Sequence, residues 1–153
     1  MVDVHGLLGR PGIGKSTLAL QAVSECQKQG KIAAYIDLEN KLGKNSEYAK
    51  NIGVKAEELI KFRERGIKKV FGFINERIKE GVNLFVVDSV AALTLDPGKE
   101  DQGIASKARI ISEELAITSS NMWDRDVILI FVNQIREDLS SGLFGPKITT
   151  PGG

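Results

Sequence analysis

Residues 9–16 read Gly-Arg-Pro-Gly-Ile-Gly-Lys-Ser and match the pattern G-x-x-x-x-G-K-S/T at every fixed position. An apolar run at residues 4–8 precedes this segment, and a stretch with helical spacing follows it at residues 15–29, before the capping residue Gly30. A glycine-rich turn between a strand and a helix lets successive backbone N–H groups point inward, and the helix N-terminus adds partial positive charge. The segment therefore predicts a loop that holds phosphate groups.

Two side chains of this phosphate loop, defined here as residues 9–17, have distinct expected roles. Lys15 would reach the β- and γ-phosphates of a nucleotide, and the hydroxyl of Ser16 would bind magnesium. The alternative is a glycine-rich turn with a solvated lysine, but the flanking strand and helix are the context that the motif requires. We therefore expect ATP and Mg²⁺ as cofactors, with nucleotide contacts from Gly9, Arg10, Pro11, Gly12, Ile13, Gly14, Lys15, Ser16 and Thr17.

Apolar runs and helical periods alternate along the rest of the chain. This alternation is typical of an α/β fold, in which a mostly parallel sheet is covered by helices on both faces. The last two predicted strands are continuous apolar runs, as expected for strands buried on both faces. Loops are predicted around Pro97 and Gly98 and, as a mobile segment, at residues 140–153. Strands are predicted at residues 32–37, 59–62, 84–87 and 127–132, and helices at residues 46–52, 67–81 and 104–123.

Size and composition narrow the class of protein. The 153 residues suit one domain with a single core, covering residues 1–153. The 21 basic and 20 acidic side chains nearly cancel, so any contact with nucleic acid must be local. Cys26 is the one cysteine and lies in a helical pattern, which favours a buried thiol and a reducing cytosol. Because no signal peptide or membrane-length apolar run is found, we expect a cytoplasmic protein that contacts no membrane.

Polar residues stand at or just beyond the carboxyl ends of three predicted strands. Parallel strands present these ends at one edge of the sheet, where the phosphate loop also lies, so the side chains could converge on the phosphates. The residues are Asp37 with Glu39, Asp88 with Ser89, and Asn133 with Gln134.

Three of these side chains are candidates for chemistry. Asp88 suits a second magnesium-binding group, acting directly or through water, with a strand-end turn residue as the alternative. Glu39 could orient the water that attacks the γ-phosphate, or it could simply be exposed. Gln134 could hydrogen-bond the γ-phosphate and report its loss to the segment that follows, a role that spacing alone leaves open.

Six further blocks stand in a recognisable order along the chain. They read Tyr-Ile-Asp-Leu-Glu at 35–39, Tyr-Ala-Lys-Asn-Ile-Gly-Val at 48–54, Val-Val-Asp-Ser-Val-Ala-Ala-Leu-Thr at 86–94, Ile-Phe-Val-Asn-Gln-Ile-Arg at 130–136, Phe-Gly at 144–145 and Thr-Thr-Pro-Gly-Gly at 149–153. With these blocks the chain resembles bacterial RecA recombinases and their phage-encoded relatives. The resemblance implies a P-loop NTPase with a RecA-like core, and DNA-dependent ATP hydrolysis in homologous recombination, DNA repair and the SOS response to DNA damage.

The same resemblance implies roles for individual residues. Glu39 corresponds to the catalytic glutamate, acting with Lys15, and Tyr48 corresponds to the residue that stacks on adenine. Asp88 corresponds to the magnesium-site aspartate and Gln134 to the γ-phosphate sensor.

In the family, two loops face single-stranded DNA along the axis of a homo-oligomeric filament, and the matching segments here are residues 95–106 and 135–153. Phe144 would couple neighbouring subunits or shape the second loop. Backbone N–H groups and arginine suit phosphate contacts. The candidate DNA-binding residues are Arg109, Ser112, Arg136, Phe144, Gly152 and Gly153.

The chain departs from the family pattern in several places. The first loop is shorter, and both loops carry carboxylates that repel phosphate: Asp96, Glu100, Asp101, Glu137 and Asp138. The segment between Glu39 and Tyr48 is longer than usual. The chain also begins near the first core strand and stops after the second loop. We therefore expect it to lack the N-terminal polymerisation element, the last core strands and the C-terminal domain, and not to carry out full strand exchange alone.

Two other functions remain open from the sequence. The sequence of residues 10–18 also resembles those of RadA proteins and replicative helicases, so a RecA-fold motor with another task is the second possibility. A nucleotide-binding interaction module without turnover is the third. Other residues have plain expectations. His5 is a strand residue rather than a metal ligand, and Met122, Trp123 and Phe131 belong to the core rather than to a base-stacking platform.

Overall fold

The computed structural model describes residues 3–44, 46–95, 103–134, 136–138 and 147–149. Strands and helices alternate along the chain, and a short 3-10 turn, Val90–Ala92, follows the fourth strand. In chain order the elements are β1 (Asp3–Gly9), α1 (Lys15–Lys28), β2 (Ala33–Asp37), α2 (Lys41–Lys44), α3 (Ser46–Ile52), β3 (Ile60–Phe62), α4 (Ile67–Lys79), β4 (Leu84–Asp88), α5 (Gly103–Met122), β5 (Ile128–Gln134), β6 (Arg136–Asp138) and β7 (Lys147–Thr149).

Five strands form one parallel sheet in the order β1-β5-β4-β2-β3. Two clusters of buried apolar side chains cover its faces, one beneath α4 and α5 and the other beneath α1 and α3. Every residue of β2 and β4 is buried, as expected for central strands between two helical layers. The α/β prediction is confirmed, and the predicted strands agree with the observed ones to within two residues at each end.

Two burial predictions are wrong. Ile128, at the start of β5, is 36% exposed because it borders a groove between α1 and the amino ends of β4 and β5. Trp123 is 65% exposed because α5 ends at Met122, whose side chain enters the core, and the next residue already faces away from it. Met122 and Phe131 do pack on the core as predicted, and the Phe131 ring lies 6.2 Å from that of Phe71.

The remaining expectations divide between confirmed, wrong and untested. His5 is a strand residue and Cys26 is buried, and burial raises the pKa of the Cys26 thiol. The loop prediction for residues 140–153 is wrong at β7, which pairs antiparallel with β6. Helix α2 was not predicted, and the loop around Pro97 and Gly98 lies outside the described residues. None of the described helices is both long enough and apolar enough to cross a membrane.

Truncating Phe85, a fully buried side chain of the central strand β4, tests the packing of the sheet. The change Phe85→Ala leaves a cavity, so the free energy of unfolding should fall by about 3–5 kcal/mol. The control Ile117→Ala, at a 54% exposed position of α5, should change it by less than about 0.5 kcal/mol. Urea unfolding followed by circular dichroism measures both, and equal losses would contradict this packing.

Candidate phosphate and metal site

The phosphate loop joins β1 to α1 through two glycines in the left-handed region. Gly12 has φ 81° and Gly14 has φ 91°, conformations that L-residues with a side chain rarely adopt. The first intrahelical bond of α1 runs from the Leu18 N–H to the Gly14 carbonyl at 2.9 Å. The turn therefore delivers the chain into α1 with the first N–H groups of the helix free of intrahelical partners, as an anion site requires.

The Lys15 side chain folds back over the loop. Its Nζ donates to the carbonyl oxygens of Gly9 at 2.7 Å and Arg10 at 2.6 Å. Ammonium groups are compact and mobile on a four-carbon stem, so the same atom can exchange these carbonyl oxygens for phosphate oxygens. Lys15 thus already lies at the mouth of the loop where it was predicted to act.

Strand alternation explains why polar side chains from different strands meet on the side of this loop. Leu84 and Val86 belong to the core beneath α1, so Asp88, two residues further, faces the same way. In β5 the same reasoning from Ile130 and Val132 places Gln134 on that side. Gln134 pairs with Gly9 in the sheet, and β5 separates this end of β4 from β1.

Asp88 is the centre of the site. Its side chain is 0% exposed, and its Oδ2 accepts hydrogen bonds from the Ser16 hydroxyl at 2.7 Å and the Tyr35 hydroxyl at 2.8 Å. Burial, followed by the negative charge of Asp88, raises the pKa of the Tyr35 phenol far above its usual range, which keeps it a donor. Ser16 and Asp88, the two residues predicted to bind magnesium, are therefore in direct contact.

Glu39 lies beside this pair. Its carboxylate accepts a hydrogen bond from the Ser89 hydroxyl, and its Oε2 lies 3.1 Å from Lys41 Nζ, which is also 3.3 Å from Asp88 Oδ1. Burial alone would raise the pKa of Glu39, but the hydrogen bonds from Ser89 and Lys41 and the charges of Lys41 and Arg65 bring it below its usual value. For Lys41, burial would lower the pKa, and the charges of Asp88 and Glu39 raise it instead. Both groups are therefore charged near neutral pH.

Asp37, another strand-end carboxylate, has a structural role. Its Oδ1 accepts the Lys41 N–H at 2.8 Å and its Oδ2 accepts the Leu42 N–H at 3.0 Å, which caps α2. It is buried and does not border the cavity described below. The convergence that the strand ends made possible does not include Asp37, because α2, which the sequence did not predict, uses its carboxylate as a cap.

A cavity of about 400 Å³ lies between the phosphate loop and these strand ends. A hydroxyl and a carboxylate on one wall offer the hard oxygen ligands that Mg²⁺ prefers, so Ser16 and Asp88 fit the implied metal. No group of three His, Cys, Asp or Glu side chains that could hold a metal is found in the part of the chain that the structure describes. The cavity is lined by Pro11, Gly12, Gly14, Lys15, Ser16, Thr17, Glu39, Lys41, Asp88, Val132 and Gln134.

Other predicted site residues lie around or away from this cavity. Tyr48 is half-exposed, and its hydroxyl lies 2.6 Å from that of Thr17 at the start of α1. On α5, Arg109 pairs with Glu113 at 2.7 Å, and the Ser112 hydroxyl bonds to the Ala108 carbonyl at 3.0 Å. Neither borders the cavity.

The predicted residues of the second DNA loop are described only in part. Arg136 begins β6, and its side chain lies outside the description. Phe144, Gly152 and Gly153 lie outside the described residues.

The sequence predicted no individual role for Tyr35, Lys41 or Ser89, although Ser89 was one of the strand-end polar residues. Tyr35 precedes Asp37 by two residues, so strand alternation could have placed it on the loop side of the sheet. Ser89 adjoins Asp88, and the peptide bond between them is cis. No sequence pattern could have indicated a role for Lys41, because its position depends on α2, which was not predicted.

The lowered pKa of Glu39 predicts a pH dependence of stability. Its folded pKa lies below the ordinary 4.5, so its stabilising contribution is complete above pH 4.5 and is lost as the pH falls through the folded value. The difference in free energy of unfolding between the parent and Glu39→Gln should therefore shrink as the pH falls from about 7 to about 3. Urea unfolding at each pH measures it, and a constant difference would contradict the assignment.

The sequence matches a known protein family and several of its members. The family model described as the RecA N-terminal domain matches residues 2–153. The plasmid RecA protein of Lactococcus lactis subsp. lactis is 45% identical over 151 residues, which cover 96% of this chain and 43% of that protein. RecA of Wolinella succinogenes is 38% identical over 152 residues, with 96% and 43% covered, and RecA of Mesomycoplasma hyopneumoniae (strain 7448) is 37% identical over 152 residues, with 96% and 44% covered.

The chain spans less than half the length of these relatives. The matched region covers residues 2–153, and it includes the phosphate loop and the strand ends that form the cavity. Because the family model covers residues 2–153, this chain belongs to the RecA family and corresponds to its N-terminal domain.

Proposed function

We propose that this chain binds ATP with Mg²⁺, hydrolyses it, and couples hydrolysis to single-stranded DNA in homologous recombination and DNA repair. The observation that carries the proposal is the 2.7 Å bond from the Ser16 hydroxyl to Asp88 Oδ2, beside Lys15 and Gln134 in one cavity. A phosphate-binding turn and a buried carboxylate from a separate strand thus meet where a triphosphate and its metal would lie. A cytoplasmic location is part of the same proposal.

The phosphate loop would bind the triphosphate through its backbone. Gly12 and Gly14 hold the turn that leaves the first N–H groups of α1 available, and the helix N-terminus favours negative charge. Lys15 would leave the carbonyl oxygens of Gly9 and Arg10 and pair with the β- and γ-phosphates. Ser16 and Asp88 would hold Mg²⁺, which when bound neutralises charge that develops on the phosphates.

Glu39 is the candidate for orienting the attacking water. Its carboxylate borders the cavity and stays ionised at neutral pH, so it can accept a hydrogen bond from water. The hydrogen bond from Ser89 fixes one carboxylate oxygen, which leaves the other directed towards Lys41. This arrangement favours an oriented acceptor over the exposed charge that the sequence left open.

Gln134 and Tyr48 are the candidates for contacting the two ends of the nucleotide, the γ-phosphate and the adenine ring. Gln134 ends β5, borders the cavity, and is followed almost at once by β6 in the proposed second DNA loop. Loss of the γ-phosphate would release its side chain amide, and the change would pass to that loop. The Tyr48 hydroxyl lies beside that of Thr17, close to the phosphate loop, and this position supports the proposal that the Tyr48 ring stacks on adenine.

DNA binding and filament formation are proposed because the chain belongs to the RecA family. The proposed DNA-binding residues are the candidates that the sequence indicated. Arg109 is exposed on α5, where a guanidinium can reach a phosphate once it leaves Glu113. Ser112, Arg136, Phe144, Gly152 and Gly153 complete the proposed interface. Oligomerisation is proposed for the complete protein.

Two substitutions separate nucleotide binding from turnover. Lys15→Ala removes the cation that pairs with the phosphates, so binding of ATP with Mg²⁺ in calorimetry should be lost or severely weakened. Glu39→Gln keeps the shape but removes the charge that orients water, so binding should persist while turnover falls by about 10²- to 10⁴-fold. Lys50→Ala, at an exposed position of α3, is the matched control and should behave as the parent does. Equal turnover in all four proteins would refute the assigned site.

The DNA coupling has its own test. ATP hydrolysis by the parent should rise on addition of single-stranded DNA, and Arg109→Ala should weaken binding to a labelled oligothymidine. If Arg109 contacts one phosphate, the slope of log affinity against log salt should fall by about 1. Lys68→Ala, at an exposed position of α4, should leave the slope unchanged. ATP binding without turnover, with or without DNA, would favour a nucleotide-binding interaction module instead.

A further inference from the structure

Lys41 contacts all of the oxygen groups on which the proposed metal chemistry depends. Its Nζ lies 3.1 Å from Glu39 Oε2, 3.3 Å from Asp88 Oδ1 and 3.4 Å from Ser16 Oγ. An ammonium group has three N–H donors, which matches three oxygen acceptors. No motif in the sequence indicates a role for this residue.

The backbone holds Lys41 in this position. Its N–H and that of Leu42 donate to the two carboxylate oxygens of the buried Asp37, at 2.8 and 3.0 Å. The Leu42 side chain is itself buried in the core beneath α1. The Lys41 backbone is therefore tied to the end of β2, and only its flexible side chain is free to move into or out of the oxygen cluster.

Asp88 explains why a cation is needed there. A fully buried carboxylate is costly unless it is paired, and the two hydroxyls that it accepts from, on Ser16 and Tyr35, are neutral. Lys15 does not supply the charge, because its ammonium is bonded to carbonyl oxygens of the loop. Among the residues that the structure describes, Lys41 is the cation paired with Asp88, and it also neutralises Glu39.

We propose that Lys41 is a positioning residue, a tethered cation that holds the oxygens of Ser16, Asp88 and Glu39 together in the nucleotide-free protein and competes with magnesium for them. Binding of a metal by Ser16 and Asp88 would place a second cation beside the ammonium, so repulsion between the two cations favours departure of Lys41 from Asp88. Lys41 thereby sets the Mg²⁺ concentration that the site requires. The inference rests on the proposed function, because it takes Ser16 and Asp88 as the metal-binding pair.

The test is a titration with Mg²⁺ in the absence of nucleotide. The thermal unfolding temperature of the parent and of each variant is measured at each Mg²⁺ concentration. Lys41→Met keeps the length of the side chain and removes the charge, so without Mg²⁺ the variant should unfold at a lower temperature than the parent. Its half-saturating Mg²⁺ concentration should be lower than that of the parent by about fivefold or more. Lys41→Arg restores a cation and should return the response towards that of the parent, and the control Lys50→Met should match the parent.

Equal half-saturating concentrations in the parent and Lys41→Met, or no response to Mg²⁺ in either, would overturn the proposal. Should Lys41→Met fail to fold, the parent provides a second measurement through lysine labelled with ¹³C at Cε. The Lys41 signal, assigned by its absence in Lys41→Arg, should shift during the Mg²⁺ titration, and a signal that stays still while Mg²⁺ stabilises the protein would overturn the proposal. Neither measurement uses nucleotide, so a failure here is distinct from ATP binding by Lys15→Ala, which would refute the proposed function.

Discussion

The contact between Ser16 and the buried Asp88 connects the two halves of the site, and the rest of the geometry follows from it. Ser16 lies in the first turn of α1, the helix that the glycine turn orients, whereas Asp88 ends the central strand of the sheet. A charge at 0% exposure requires partners, and the described residues supply two hydroxyls and one ammonium. The site is therefore assembled by contacts within the fold itself, which is the condition for electrostatic preorganisation.

Most of the fold was predictable because strands and helices leave separate periods in the sequence. The runs that became β2 and β4 are buried along their full length, so no polar residue interrupts them and their carboxyl ends are clear. The same clarity located Asp88, and the spacing of fixed residues located the phosphate loop. Trp123 was misjudged because the end of α5 decides its exposure, and one residue of helix rotates a side chain away from the core.

The parts that sequence reasoning missed depend on contacts between distant residues. Helix α2 spans only Lys41–Lys44, too short to leave a periodic pattern, and it depends on the Asp37 carboxylate as a cap. Lys41 reaches the site only because of that cap, and Tyr35 only because β2 lies beside β4. The chain belongs to the RecA family, and the RecA proteins that it matches are more than twice its length, so its coupling to DNA and to neighbouring subunits is a proposal.

The proposed function depends on binding of a triphosphate by the backbone N–H groups of the phosphate loop. Two-dimensional ¹H–¹⁵N NMR during a titration with Mg²⁺ and a non-hydrolysable ATP analogue is the decisive experiment, since it reports on each amide separately. The largest shifts should occur at residues 12–17, with smaller shifts at Asp88 and Gln134 and little change at the opposite end of the sheet near Ile128. Unchanged loop amides, or shifts confined to another face of the protein, would refute triphosphate binding at this loop.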